Sequence, residues 1–243
     1  MAVNTILQSE FLKEFEEATM AMNVQTSVHD GRNSKDKQNQ LTTEFDTDLD
    51  EFVTCSASFR KLKDLVQSWL EDVMKQDVYA DILISNVQRW LTSPKVSKLY
   101  DPLLHRLVHK LMTKSFYILL RRFKQLGCKV IYANFHSIWI YTEKKDYDSA
   151  ESQINFVIEN IRQNNLFAFV NLNPKEYWRI LLFKDRYNYG GIRETQTEKV
   201  ASRWDICSHL PEVTQKQFRI LVGEYILKVY RYNLSLELKK SDY

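Results

Sequence analysis

Two apolar runs, Lys129-Val130-Ile131-Tyr132-Ala133 and Ile138-Trp139-Ile140-Tyr141, meet at Asn134-Phe135-His136-Ser137. The pattern predicts a β-hairpin whose tip presents Asn134 and His136. Paired carboxylates at such a tip would template two-metal phosphoryl transfer. None is present, and no Asp or Glu occurs from Pro102 to Thr142. Magnesium favours charged oxygen ligands in near-octahedral geometry, so an amide and an imidazole are poor substitutes. Asparagine at a turn tolerates positive φ, so a structural role at the tip is the plainer reading of Asn134.

Other reactive side chains give weaker patterns. His105 and His109 have the i,i+4 spacing of a helical zinc motif, but Arg106 stands where the glutamate base would be. Cys207-Ser208-His209 is at most half of a soft metal site, and a buried cysteine beside a surface histidine is the default. No Ser-His-Asp order, G-x-G-x-x-G or G-K-[ST] loop is present. A surviving metal-dependent nucleotidyl transferase would need Asp146 or Asp185, and neither lies at the hairpin tip. Tyr132 and Trp139 could stack on a base, although aromatic residues on alternating strands are more often core.

These residues need elements to hold them. Ile6, Leu7, Phe11, Phe15 and Met22 predict an amphipathic helix over 4–22. Gln25 to Glu51 is polar and acidic with Asp30-Gly31 as a turn, and reads as a flexible or partner-ordered linker. Phe59, Leu62, Val66, Trp69, Leu70 and Val73 share a helical face that Ser58 could cap. A further helix is predicted from about Tyr79 to Leu91, ended by Ser93-Pro94.

The best-marked helix opens on Asp101 as cap with Pro102 in its first turn, and stops at Gly127. Its apolar stripe is Leu104, Leu107, Val108, Leu111, Met112, Phe116, Leu119 and Phe123. Arg106, Lys110, Lys114, Arg121 and Lys124 fall within a band of roughly 80° away from that stripe. A solvated face is the plainer reading of this band, and contact with phosphate or an acidic partner is the alternative. Beyond the hairpin, the patterns predict a helix over Asp146 to Gln163 and a strand over Leu166 to Leu172. A strand or short helix over Tyr177 to Phe183 would then enter a Gly190-Gly191 turn, and a last helix follows Pro211.

Composition sets bounds. Among 243 residues, 44% are hydrophobic and only five are Gly and four Pro, which favours a folded, helix-rich chain. Residues 1–55 hold 4 basic and 11 acidic side chains, net −7, and residues 56–243 hold 30 and 20, net +10. A basic body suits nucleic acid or an acidic partner. Cys55, Cys128 and Cys207 are scattered and odd in number, which predicts a reducing compartment without a disulfide or zinc framework. No apolar run suggests a signal peptide or a membrane span.

Three segments carry a resemblance. Tyr100-Asp101-Pro102, Tyr132-Ala133-Asn134-Phe135-His136-Ser137 and Tyr187-Asn188-Tyr189-Gly190-Gly191-Ile192 occur in this order. The second resembles the Tyr-Gly-Asp-Thr-Asp-Ser hairpin of family B DNA polymerases, with both aspartates lost. The set, over roughly Phe59 to Asn233, resembles the inactivated C-terminal half of such a polymerase's large subunit.

The resemblance implies an α+β fold, with a palm-like hairpin and sheet packed by long helices. It implies an appendage over 1–55, a degenerate palm-like region over 56–195 and a helical thumb-like part over 196–243. The helix, hairpin, helix and strand would make half of a split β-α-β sandwich. Lys184-Asp185-Arg186-Tyr187 is similar to the basic-aromatic segment with which family B palms approach primer-template DNA, making Lys184, Arg186 and Tyr187 candidate phosphate contacts.

The function implied is a nuclear scaffold in DNA replication, without phosphoryl transfer of its own. Its partners would be the catalytic half of the same large chain, the replicative helicase and the polymerase's second subunit, with DNA as a further candidate. No cofactor is expected, since the family's zinc and iron-sulfur cysteine clusters are absent from these residues. The rival is a small nucleic-acid-binding module using the basic helix face and aromatic strands. Against it, the aromatic and glycine pattern of an RNA-recognition central strand is missing from Val130 to Tyr141.

Overall fold

A computed structural model describes residues 1–10, 35–95, 97–98 and 100–241. Six α-helices and two antiparallel sheets make the expected α+β fold among the described residues. The chain divides into two compact units, residues 1–138 with 157–171, and residues 139–156 with 172–243.

The first unit is helical. It contains α1 (Ala2–Leu7), α2 (Lys35–Met74), α3 (Val78–Thr92) and α4 (Pro102–Gln125). The predicted caps hold at α4. Asp101 Oδ1 accepts the backbone N–H groups of Leu103 at 2.9 Å and Leu104 at 3.4 Å. At the far end Gly127 takes φ +82°, and Cys128 N–H returns to Phe123 O at 3.0 Å, closing the last turn. Of the predicted stripe only Phe116 is less than fully buried. Asp77 caps α3 through Tyr79 N–H at 2.8 Å, and the chain leaves α3 at extended Ser93 before Pro94. Trp69 of α2 meets Trp90 of α3 edge-on.

The polar stretch expected to be a linker is helical from Lys35 onward, and Ser58 is an exposed interior residue of α2 rather than its cap. The physical reason is in the spacing. Leu41, Phe45, Leu49 and Phe52 continue the three-to-four rhythm of Cys55, Phe59, Leu62 and Val66, and no Gly or Pro interrupts residues 32–93. Polar composition obscured that rhythm. The Asp30-Gly31 turn, and Phe11, Phe15 and Met22 of the predicted first helix, lie outside the described residues.

The expected strand over Leu166–Leu172 is instead a 3₁₀ turn, Asn165–Phe167, followed by irregular chain. Asn164 caps it through Leu166 N–H at 2.9 Å. Fully buried Asn4 then takes the place of a neighbouring strand, donating to Leu166 O at 2.8 Å and accepting from Phe169 N–H at 3.1 Å. One side chain thus satisfies two backbone groups that a sheet would otherwise need to pair.

The hairpin β1 (Lys129–Ala133) and β2 (Ile138–Tyr141) is a two-stranded sheet, and α5 spans Tyr147–Arg162. The second unit holds the meander β3 (Trp178–Asp185), β4 (Asn188–Arg193) and β5 (Gln196–Trp204), then a 3₁₀ turn and α6 (Glu212–Ser241). The expected β-α-β half-sandwich is therefore replaced by two separate antiparallel sheets, because residues 166–172 contribute no strand.

Gly190 and Gly191 do not form a turn. They lie inside β4, where a Cβ on Gly190 would come within 2.9 Å of Ser202 Cβ and 3.2 Å of Ile226 Cδ1. A Cβ on Gly191 would overlap Ile180 O and stand 3.0 Å from Trp178. The pair lets β3, α6 and the tryptophans close on both sides of one strand.

Candidate functional site

The hairpin tip is built around one side chain. Asn134 Oδ1 accepts the backbone N–H groups of His136 and Ser137, each at 2.8 Å, and Ser137 Oγ at 3.3 Å. Asn134 Nδ2 donates to the Tyr132 hydroxyl at 3.1 Å, and Asn134 N–H pairs with Ser137 O at 2.9 Å. This is an Asx-type turn, in which the side chain mimics a backbone acceptor. Its oxygen is spent on the loop's own donors.

Phe135, between Asn134 and His136, turns onto α4. The Phe135 ring centroid lies 5.1 Å from Phe116 and 6.0 Å from His109, which in turn meets His105 at 6.2 Å. His136 stays exposed, one residue beyond this contact. Among the described residues no group of three or more His, Cys, Asp or Glu is placed to hold a metal ion.

The two carboxylates considered as substitutes have local duties. Asp146 Oδ2 accepts Ser149 N–H at 3.0 Å and Ser149 Oγ at 3.1 Å at the start of α5. Asp185 Oδ1 accepts Tyr187 N–H at 2.8 Å and Asn188 N–H at 2.9 Å, forming the β3–β4 turn. Cys207 is buried, Ser208 Oγ donates to Asp205 O at 2.7 Å, and His209 is exposed, so the Cys-Ser-His trio does not converge.

Cations are presented in two places. On α4, Arg106, Arg121 and Lys124 are exposed and Lys110 and Lys114 half-buried; Arg106, Lys110 and Lys114 also take part in further side-chain interactions. At the β3–β4 turn, Lys184 and Arg186 are exposed, and Arg186 lies 4.2 Å over the Tyr187 ring. Arg203 lies 5.1 Å from the same ring and forms a bidentate pair with Asp205 at 3.2 Å, which raises its guanidinium pKa. Sequence reasoning missed Arg203. Only the β4–β5 register, which sets Arg203 opposite Tyr189, brings it to this turn.

The aromatic strand residues pack on one another. Trp139 lies 5.1 Å from Tyr189, 5.2 Å from Phe183 and 6.1 Å from Trp178. All four are half-buried, and Arg193 lies 5.2 Å over Trp178. The Tyr132 hydroxyl, by contrast, accepts from Asn134 Nδ2.

The family model described as "Domain of unknown function (DUF1744)" matches residues 1–192, and the chain belongs to that family. Its relatives are polymerase subunits, as the hairpin resemblance implied. It is 35% identical to a DNA polymerase epsilon catalytic subunit of Arabidopsis thaliana over 248 residues, covering 100% of this chain and 11% of the relative. The DNA polymerase epsilon catalytic subunit of Schizosaccharomyces pombe is 36% identical over 71% of the chain and 8% of its own length. That of Saccharomyces cerevisiae is 26% identical over 97% of the chain and 11% of its own length. The chain thus spans about a tenth of the relatives it matches.

Proposed function

We propose that this chain is a structural, non-catalytic segment of a DNA polymerase epsilon large subunit, serving as a scaffold in nuclear replication. The observation that carries the reading is the state of the hairpin tip. Asn134 closes the loop and Phe135 packs on α4, where a working polymerase needs two free carboxylates. The reading includes no cofactor, since the family's zinc and iron-sulfur cysteine clusters are absent from these residues.

A scaffold acts through surfaces. In this reading the partners are the catalytic half of polymerase epsilon, the replicative helicase and the polymerase's second subunit. The cations at Arg121 and Lys124, and the turn carrying Lys184, Arg186 and Tyr187, are where an acidic protein or a phosphate backbone would meet the chain. Tyr187 with two guanidinium groups near its ring supports a second reading, a nucleic-acid-binding module, in which the exposed tip tracks a phosphate backbone.

Crosslinking of the purified chain with the helicase and the second subunit, read by mass spectrometry, separates the two. The scaffold reading expects crosslinks from Lys124 and Lys184 to protein without DNA present. Crosslinks that form only to DNA would replace it with the second reading.

A further inference from the structure

The corner between α2 and α3 leaves large apolar side chains in the open: Met74 is 81% exposed, Val78 70%, Tyr79 79% and Ile82 52%. We propose that this corner docks a basic amphipathic helix of a partner protein, whose apolar side chains cover Val78, Tyr79 and Ile82 while its lysines or arginines meet the surrounding acids. The inference does not rest on the scaffold reading. It concerns a surface opposite in sign to the cations of α4 and of the β3–β4 turn.

Position gathers the patch. Val78 and Ile82 are i,i+4 on α3, and Tyr79 and Ile82 are i,i+3, so the three share a face. The core-facing residues of α3 are Ala80, Val87 and Leu91, on its other side. Met74 ends α2, and the chain turns through Lys75, Gln76 and Asp77 into α3. That turn is closed: Asp72 O accepts Lys75 N–H at 3.0 Å and Asp77 N–H at 3.1 Å, Gln76 takes φ +67°, and Asp77 caps α3 through Tyr79 N–H at 2.8 Å. Apolar groups held on such a frame lose little freedom on binding. Tyrosine is a frequent interface anchor, and methionine adapts to the shape laid on it.

Charge selects the occupant. Glu71, Asp72, Asp77 and Asp81 flank the apolar residues, and the only base between Lys63 and Arg89 is Lys75. Lys75 is itself spent on Asp72, with Nζ 3.0 Å from Oδ1, and the Asp72 hydrogen bond and charge hold its pKa up with help from Glu71. Glu71 and Asp81 are exposed, and among the described residues neither pairs with a cation. Residues 71–81 hold four acids and one base, net −3, within a body of residues 56–243 that is net +10. Phosphate backbones and anionic lipid headgroups are repelled by such a rim. A helix with an apolar stripe between bases uses both the apolar side chains and the carboxylates.

The test is fluorescence anisotropy of the full chain with labelled helical peptides of about 18 residues. The first carries leucine at i, i+3, i+4 and i+7 spacing with lysine elsewhere, the second has glutamate for lysine, and the third has serine for leucine. The first should bind, and the other two at least roughly tenfold more weakly. Tyr79→Ser with Ile82→Ser should weaken the lysine peptide roughly tenfold, and Val78→Ser should act in the same direction. Glu71→Gln with Asp81→Asn should weaken it about threefold and flatten its dependence on salt between about 50 and 200 mM. Leu221→Ser with Tyr225→Ser, equally exposed apolar positions on α6, should leave binding unchanged.

Thermal unfolding midpoints of the corner variants should match the parent's, which separates lost contact from lost fold. No binding of the lysine peptide, equal binding of the glutamate peptide, or the parent's affinity in both the Tyr79/Ile82 and Val78 variants overturns the proposal. So does sedimentation velocity showing self-association that the corner variants abolish, since the surface would then belong to a second copy of the chain. Crosslinking to the helicase or the second subunit is unaffected by any of these results, so this proposal and the scaffold reading fail separately.

Discussion

Asn134 Oδ1 accepts the backbone N–H of His136 at 2.8 Å, tying the two residues that flank Phe135 into one turn. The contact fixes the shape of the tip. An oxygen shared among three donors of its own loop is a poor ligand, and an imidazole beyond it supplies no negative charge.

Asn134→Ala should destabilise the chain by about 1–2 kcal/mol, because two backbone donors lose their acceptor. Asn134→Asp keeps the oxygen and should cost well under half as much. Urea unfolding midpoints of the two variants measure the difference.

Phe135→Ala removes the rings' contact between hairpin and α4. The side chain is half-buried, so the cost should be about 2 kcal/mol, below that of a full core aromatic. Hydrogen exchange should rise at residues 133–138 and stay unchanged at the buried centre of α4.

Two glycines should respond differently to alanine. At Gly127 a Cβ meets nothing within 4 Å, so Gly127→Ala costs only the left-handed backbone penalty of about 1 kcal/mol. At Gly191 the Cβ meets backbone of β3, so Gly191→Ala should cost about 3 kcal/mol and loosen the meander. Thermal unfolding of both variants reads the contrast.

Much of this was legible in the sequence. Asp101, Pro102 and Gly127 marked α4 because capping is a local matter, decided within a turn of the residue concerned. The hairpin, and the exposure of Arg106, Arg121 and Lys124 on α4, followed from periodicity. What stayed hidden depended on distant partners. Asn4 replaces a strand neighbour for Leu166 and Phe169 across more than a hundred residues, and Arg203 reaches Tyr187 only through the β4–β5 register. The glycine pair looked like a turn because its need for closeness on both faces is invisible without the neighbouring elements.

Asn4→Ala should therefore cost about 3 kcal/mol, leaving a buried carbonyl and an N–H without their partner. Limited proteolysis should cut the variant within residues 163–172 faster than the parent chain.

The thiols give a check on packing. Cys55, Cys128 and Cys207 are each buried, and burial pushes the Cys128 thiol pKa up, which lowers its thiolate fraction at neutral pH. None should react with a thiol reagent in the native chain, and all three should react after denaturation.

Whether the chain builds rather than copies is decided by nucleotide incorporation on a labelled primer-template in magnesium and then manganese. A purely structural segment gives no extension with either metal. Extension that disappears on replacing Asp146 or Asp185 would contradict it, because a carboxylate assigned to a cap or a turn would then be holding the metal.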